Sequence, residues 1–233
     1  MAELFIHCYN DYAMLIRKRL LFRLGGDRMK KKILFIIAAL LIVAVIAIGV
    51  YSAPIIADGY SMYKNAISET SIEVAVNNVR NDDSYIRFED VPDRFVDEVL
   101  ESEDKRFYSH GGIDFIATVR AMYHSIKEQS FAEGGSTITQ QVAKNLYFSF
   151  DKKLERKVAE VFVAADLERV LAKDEILELY LNIVYFGEGC YGLKEAADHY
   201  YGVTPMSLSS KQISALVFTL KRPNDYNPNA YKH

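Results

Sequence analysis

Between Ile33 and Val50 the chain reads ILFIIAALLIVAVIAIGV, eighteen consecutive residues without a charged or polar side chain. No other feature limits the fold so strongly. A helix of about 20 such residues spans the hydrocarbon of a bilayer, and a helix apolar on every side has no water-facing stripe to offer. Lys30, Lys31 and Lys32 stand directly before it, with Arg17, Lys18, Arg19, Arg23 and Arg28 further upstream. The positive-inside tendency therefore places residues 1–32 in the cytoplasm and everything after Tyr51 outside. A cleaved signal peptide is the competing reading, but its A-x-A-like site would put Tyr51 of VYSAP where a small residue is wanted. An uncleaved single-pass anchor over 33–51 is the expectation. Met29, in MKKKILFII, reads as a natural start, with residues 1–28 as an upstream extension.

The net charge of −3 hides an asymmetry. Residues 1–32 carry eight Lys or Arg against three acids, which leaves 20 basic and 28 acidic residues downstream. Such an acidic bulk excludes a broad nucleic-acid footprint, so any anion must be held by a local cluster of cations. Cys8 and Cys190 lie on opposite sides of the anchor, which argues against a disulfide framework, and no His, Cys or carboxylate cluster has metal-ligand spacing.

After the anchor, residues 52–90 are polar and weakly patterned and read as a stalk, with SIEVAV as a possible short strand. From residue 91 to 233 helix follows helix, so the domain is expected to be mainly α. Pro92 suits a first helical turn of a helix running to Tyr108, and Asp114 caps FIATVRAMYHSIKE, whose Ile116, Val119, Tyr123 and Ile126 share a face. Ser136 or Thr137 opens a helix to about Leu146, and KKLERKVAEVFVAADLERVLA is another. Asp174 caps EILELYLNIVYF, and Ser207 caps LSSKQISALVFTL.

Three features stand out within this domain. Positions 96, 100, 103 and 107 form one stripe, and position 103 is a glutamate among Val96, Leu100 and Phe107. A carboxylate on an inward face is costly unless paired or hydrogen-bonded, and burial moves such a group toward the working range of a general acid or base. Glu103 is thus the leading catalytic candidate; the competing reading pairs it with Lys105 or Arg106 at the edge of the face. On the helix from Lys153, residues Leu154, Val158, Val161, Phe162 and Ala165 make the expected core stripe. Arg156, Glu160, Val163 and Leu167 make a second face, so the helix is buried on two sides, although Arg156 and Glu160 alone also suit an ordinary surface ion pair of about 0.3–0.5 kcal/mol. The third feature is EGGSTITQQVAKN, residues 133–145. A Gly-Gly turn entering a helix N-terminus points backbone N–H groups outward, and Ser136, Thr137 and Thr139 add hydroxyls, which suits an anion or a carbonyl as well as simple capping. Lys144 lies two turns onward, and Lys152, Lys153, Arg156 and Lys157 follow.

EDKRFYSHGGID, GGSTITQQVAKN, RKVAE, KDEILELYLNIVYFGEGCYGLKEAA and YNP resemble, in order and spacing, the motifs of the peptidoglycan glycosyltransferases, glycosyltransferase family 51. The resemblance covers about residues 85–229. With an anchor in front and the chain ending at His233, soon after YNP, it looks like the monofunctional biosynthetic type. The resemblance implies a lysozyme-like helical domain with a hydrophobic region near the bilayer of the bacterial cell membrane, and lipid II and the growing glycan strand as partners, other cell-wall synthesis proteins being possible ones. It implies that Glu103 removes the proton from the acceptor 4-hydroxyl, which attacks the lipid-linked donor with inversion. Lys144 and Arg156 match phosphate-binding positions, Glu160 the second essential carboxylate, and Arg120 an arginine flanking the cleft. Gln140, Gln141 and Asn145 would hold sugar or phosphate oxygens. No cofactor is implied as required, although a divalent cation, Mg or Mn, could bridge the pyrophosphate and Glu160. His110 is expected to brace the turn with Gly111.

The chain departs from the family pattern in places. Lys152 stands where arginine is common, which keeps the charge and loses the bidentate fork. Ala159 replaces a frequent basic residue. A lytic hydrolase is the nearest rival, because an acidic residue in a helical cleft also serves glycoside cleavage, but it has no use for Lys144 and Arg156. The Ser-x-x-K matches SEDK and SFDK lack the partner motifs of acyl transfer. An anchored scaffold without activity is the non-enzymatic reading.

Overall fold

The computed structural model describes residues 2–128, 135–148 and 153–230, with the side chains of 2–13, 15–28, 30 and 122–128 left aside. The expected mainly α architecture is the one observed: nine α-helices and one two-stranded hairpin among the described residues. The chain divides into two units between Pro54 and Ile55. Helix α1, Ala2–Glu69, contributes to both. Its residues 31–50 are exposed throughout, and α1 is the one described helix long and apolar enough to cross a membrane. Pro54 lies inside α1, where it has no N–H to give the helical ladder.

The stalk expected over 52–90 is not a stalk beyond Pro54. SIEVAV is helical: α2 spans Ile72–Arg80, capped by Ser71, and buries Ile72, Ala75 and Val76. Tyr63 and Ile67 of α1 pack on the same core, as do Val79, Ile86 and Phe88. These apolar residues are spread among many polar ones, so local composition resembled a linker even though each fills a slot in the domain.

The core is built around α5 (Ile138–Tyr147), which packs on α6 (Leu154–Val170) and on α7 (Lys173–Ile183). Ile138, Val142, Leu167, Ile176, Leu177 and Leu181 are fully or almost fully buried there. Each such side chain contributes on the order of 1.5–3 kcal/mol of transfer free energy. Helix α3, Asp93–Glu103, packs on α9, Ser210–Thr219, and α8, Gly192–Tyr201, packs on α7. Strands β1 (Tyr185–Gly187) and β2 (Cys190–Tyr191) form an antiparallel hairpin before α8. Gly187 has φ +90°, and a side chain there would meet the Pro223 carbonyl, so the hairpin needs glycine both for its turn and for that close approach.

Several expected helix ends move. Pro92 is the N-cap of α3 rather than part of it, and α3 stops at Glu103; Phe107–Ser109 form a separate 3-10 turn. Ala172 precedes α7, where Glu175 reaches back to the Ala172 N–H at 2.9 Å. Asp174 instead accepts from the Tyr108 hydroxyl. Ser209, not Ser207, caps α9 in a capping box with Gln212. Asp114 does cap α4, Phe115–Glu128, accepting the Ala117 N–H at 2.8 Å. The apolar stripe of α4 faces outward as far as it is described: Ile116 and Val119 are each 66% exposed.

Helix α6 is buried on both sides as expected, with the order of the faces reversed. Ala159, Glu160, Val163, Ala164 and Leu167 form the deepest face, whereas Leu154 is exposed. The stripe through Val158 and Phe162 meets α1 instead. A Cβ on Gly59 would stand 2.6 Å from both the Glu155 carbonyl oxygen and the Val158 Cβ, Tyr60 and Tyr63 pack on the Phe162 ring, and Tyr63 donates to Asp166 at 2.6 Å.

Candidate active site

Glu103 ends α3, and its next neighbour fixes where it points. The Asp104 carboxylate is buried and accepts the Ile138 N–H at 3.1 Å, while its other oxygen meets His110 Nε2 at 2.7 Å. His110 Nδ1 meets the Gly111 carbonyl, the brace expected for it. Thr137 donates to the Gly112 carbonyl at 2.7 Å. The end of α3 is thereby tied to the start of α5. Neither Lys105 nor Arg106 pairs with Glu103: they are engaged by Glu101 and Asp114. Half-buried Glu103 instead accepts from Gln141 Nε2 at 3.1 Å.

The second carboxylate is on α6. Glu160 is 2% exposed, with Lys157 Nζ 2.9 Å from Oε2 and Arg156 Nε 3.4 Å from Oε1. The Arg156 contact is an ion pair without hydrogen-bond alignment, since neither atom is satisfied by the other. Lys157 also donates to Ser136 Oγ at 2.6 Å, joining α6 to the segment before α5. Lys144, on α5, is half-buried among these groups. Burial holds its ammonium below the ordinary lysine range, the positive charges of Arg156 and Lys157 push the same way, and Glu160 and Glu103 push back. Lys144 therefore feels both carboxylates.

The helix N-terminus expected as an anion site is already filled by the protein's own groups. Thr137 Oγ1 accepts the Gln140 N–H and Gln140 Oε1 accepts the Thr137 N–H, each at 3.1 Å, in a capping box, and Asp104 takes Ile138. Thr137 and Gln140 are buried in that role, and Thr139 donates to Glu168. Cations on side chains, rather than backbone N–H groups, supply the positive charge here.

The remaining expected residues divide. Gln141 and Ser136 join the site, and Asn145, one turn beyond Gln141 on α5, donates to the Ile183 carbonyl at 3.3 Å. Arg120 is exposed on α4 and makes no hydrogen bond or ion pair among the described residues, so the structure does not bring it to Glu103 or Glu160. Lys152, Glu133 and Gly134 lie outside the described residues. Lys157 and Asp104 carry more of the geometry than their place in the sequence suggested. Lys157 was visible as one of four neighbouring cations, three residues before Glu160, and Asp104 as the acid beside Glu103. Tyr180, wholly buried on α7, was given no part. Its hydroxyl has no hydrogen-bond partner, and burial, then the charge of Glu103, pushes it well above the ordinary phenol range.

Among the described residues, the grouping of histidine and carboxylates compact enough for a metal is Asp104, His110 and Asp114. It does not include Glu160, and Arg106 already lies on Asp114. Hydrogen bonds from Ala117 and Arg106 outweigh the effect of burial on Asp114 and keep its carboxyl below the usual range. Glu160, between Arg156 and Lys157, is equally unsuited to a resident divalent cation, because two positive charges already meet its one negative charge.

Fold and site define a mainly helical domain with a half-buried carboxylate, Glu103, held by Gln141, and a buried one, Glu160, paired with lysine and arginine. The chain belongs to the transglycosylase family, whose model matches residues 69–233. It is 39% identical over 158 residues to the monofunctional glycosyltransferase of Staphylococcus aureus (strain JH9), an alignment covering 65% of this chain and 58% of that protein. It is 37% identical over 207 residues to penicillin-binding protein 1A/1B of Bacillus subtilis (strain 168), covering 85% of this chain and 23% of that one. With penicillin-binding protein 1A of Pseudomonas aeruginosa the identity is 41% over 143 residues, 61% of this chain and 17% of the relative. The chain thus spans only about a fifth of these penicillin-binding proteins.

Proposed function

We propose that this protein is a peptidoglycan glycosyltransferase that polymerises lipid II into glycan strands, anchored by residues 33–51 with its N-terminus in the cytoplasm and its domain outside. The observation that carries the reading is a half-buried carboxylate, Glu103, held by Gln141 on the helix that also carries Lys144, together with Arg156 and Lys157 gathered on the buried Glu160. Glu103, held by Gln141, takes the proton of the acceptor 4-hydroxyl. That oxygen bonds to the anomeric carbon as the bond to the pyrophosphate oxygen breaks, and the electron pair leaves with the pyrophosphate. Lys144, Arg156 and Lys157 stabilise the charge that develops, the term that is usually largest in such catalysis. Glu160 keeps the two cations beside it in place. The mechanism takes no step through a metal. A hydrolase of uncharged glycosidic bonds gives no role to this concentration of cations.

Incubating the full chain in detergent with purified lipid II tests the reading. Polymer is expected from the native chain, and Glu103→Gln should lower the rate by about 10²–10⁴-fold with the fold intact. Equal polymerisation by the variant removes Glu103 from the chemistry, and release of soluble muropeptides from finished strands without polymer from lipid II overturns the reaction.

A further inference from the structure

Helix α6 carries two stripes with different duties. Arg156 and Glu160 lie on one, with Lys157 beside them, and these are the groups gathered at the site of the leaving pyrophosphate. The other, through Val158, Phe162 and Asp166, is covered by the C-terminal turns of α1. Residues four apart on a helix share a face, so the two stripes interleave along one rod, and Val158 stands between Lys157 and Glu160 in the chain. A displacement of either stripe displaces the other.

The cover is close. Gly59 leaves no space for a methyl group against the Glu155 carbonyl and Val158, and the rings of Tyr60 and Tyr63 pack on that of Phe162 with centroids 5.1 Å and 5.4 Å away. Such contact resists separation of the helices, but it is non-directional and permits them to slide. A hydrogen bond, in contrast, fixes both distance and angle. The Tyr63 hydroxyl supplies one, donating to Asp166 Oδ2 at 2.6 Å, while Asp166 Oδ1 takes the exposed Arg169 at 2.7 Å. The bond from Tyr63 thus fixes the register of α6 along α1.

We propose that Tyr63 is a positioning residue for the reaction: through Asp166 it sets where α6 holds Arg156 and Lys157 relative to the departing pyrophosphate. The proposal rests on the glycosyl-transfer reading of the site and deepens it by assigning part of the rate to a contact outside the cleft. A misplacement of about 1 Å can cost on the order of 10²-fold in rate. Loss of a single tie, with the rings still packed, should cost about tenfold.

The test uses the full chain in detergent with purified lipid II. Tyr63→Phe, which keeps the ring on Phe162, should lower kcat about tenfold with KM nearly unchanged, because the cations act on charge that develops only as the bond breaks. Asp166→Ala should lower kcat equally, and the double variant no further, since both remove one tie. Asp166→Asn retains an oxygen that accepts from Tyr63 and should restore most of the rate. Arg169→Ala removes the other partner of Asp166, leaves α1 untouched and should keep the native kcat; a loss as large as that of Tyr63→Phe places the effect in the carboxylate rather than in the seam and overturns the proposal. Additive losses in the double variant overturn it too. Calorimetry with inorganic pyrophosphate, which already carries the leaving group's charge, reads the cations without the reaction, and Tyr63→Phe should weaken that binding about threefold. Where the native chain polymerises lipid II, a native kcat in folded Tyr63→Phe overturns the positioning role and keeps the reaction. Where the native chain makes no polymer, the reaction is lost, and equal pyrophosphate affinity of the two proteins overturns the positioning role separately.

Discussion

The Asp104 carboxylate accepts the backbone N–H of Ile138, so the residue that follows Glu103 is fastened to the first turn of the helix that carries Gln141 and Lys144. Asp104 is thereby a positioning residue for Glu103. Asp104→Asn exchanges a charge-assisted bond for a neutral one at a buried site, and should cost about 1.5–3 kcal/mol of stability. Denaturant unfolding measures the loss. The polymerisation rate should fall further than unfolding alone explains, and an unchanged rate in the folded variant removes the positioning role.

Lys144 should give the proposed reaction an alkaline limit. Burial above all holds its ammonium below the ordinary lysine range, so the charged form is lost at lower pH than in an ordinary lysine. The sign for stability is that the charged form carries a desolvation cost at neutral pH, which is relieved as pH rises through the lowered folded-state range toward that of an ordinary lysine. Activity should therefore decline on the alkaline side while the fold does not. In Lys144→Arg, whose guanidinium stays charged, that decline should shift to higher pH at a reduced overall rate. A rate–pH profile of the two proteins decides it.

Gly59 permits the close packing of α1 on α6. Alanine would improve helix propensity by about 1 kcal/mol. Its Cβ would, however, stand 2.6 Å from a backbone carbonyl and from Val158, which cannot move cheaply. Overpacking of this kind costs about 1–3 kcal/mol, so Gly59→Ala should be destabilising on balance, and Gly59→Val more so. Thermal unfolding of the two variants should show the order native, Ala, Val.

The Tyr180 hydroxyl is buried without a partner. Such a group costs about 1–3 kcal/mol, so Tyr180→Phe should stabilise the domain by about 1 kcal/mol. A destabilised Tyr180→Phe protein would mean that the hydroxyl is satisfied in solution, and water-bridged contact to Glu103 is then the first place to look.

The parts of the fold visible in the sequence were those in which one local signal dominates. Eighteen apolar residues marked the exposed apolar stretch of α1, Ser136 or Thr137 marked the start of α5, and the Val96–Leu100–Glu103 stripe singled out the carboxylate. Where two signals compete, the sequence was less informative. Helix α6 has apolar residues on both faces, so periodicity alone could not tell that the face with Glu160 lies deepest; tertiary packing against α5 decided it. Residues 55–80 bury isolated apolar side chains against distant parts of the chain, a pattern that no window of a few residues separates from a polar linker. The anion-binding helix end failed for a related reason. Whether a backbone N–H is available depends on Asp104, which is 34 residues away in sequence from Ile138.

That occupied helix end has a practical consequence for ligand design. With the Ile138 and Gln140 amides committed internally, a charged ligand can gain little from a rigid cradle of main-chain dipoles and must rely on long, mobile ammonium and guanidinium arms. Affinity of this kind weakens with ionic strength and tolerates changes in the shape of the anion. Compounds that combine a modest phosphonate with a well-fitted carbohydrate portion should therefore discriminate better than those that merely add negative charge.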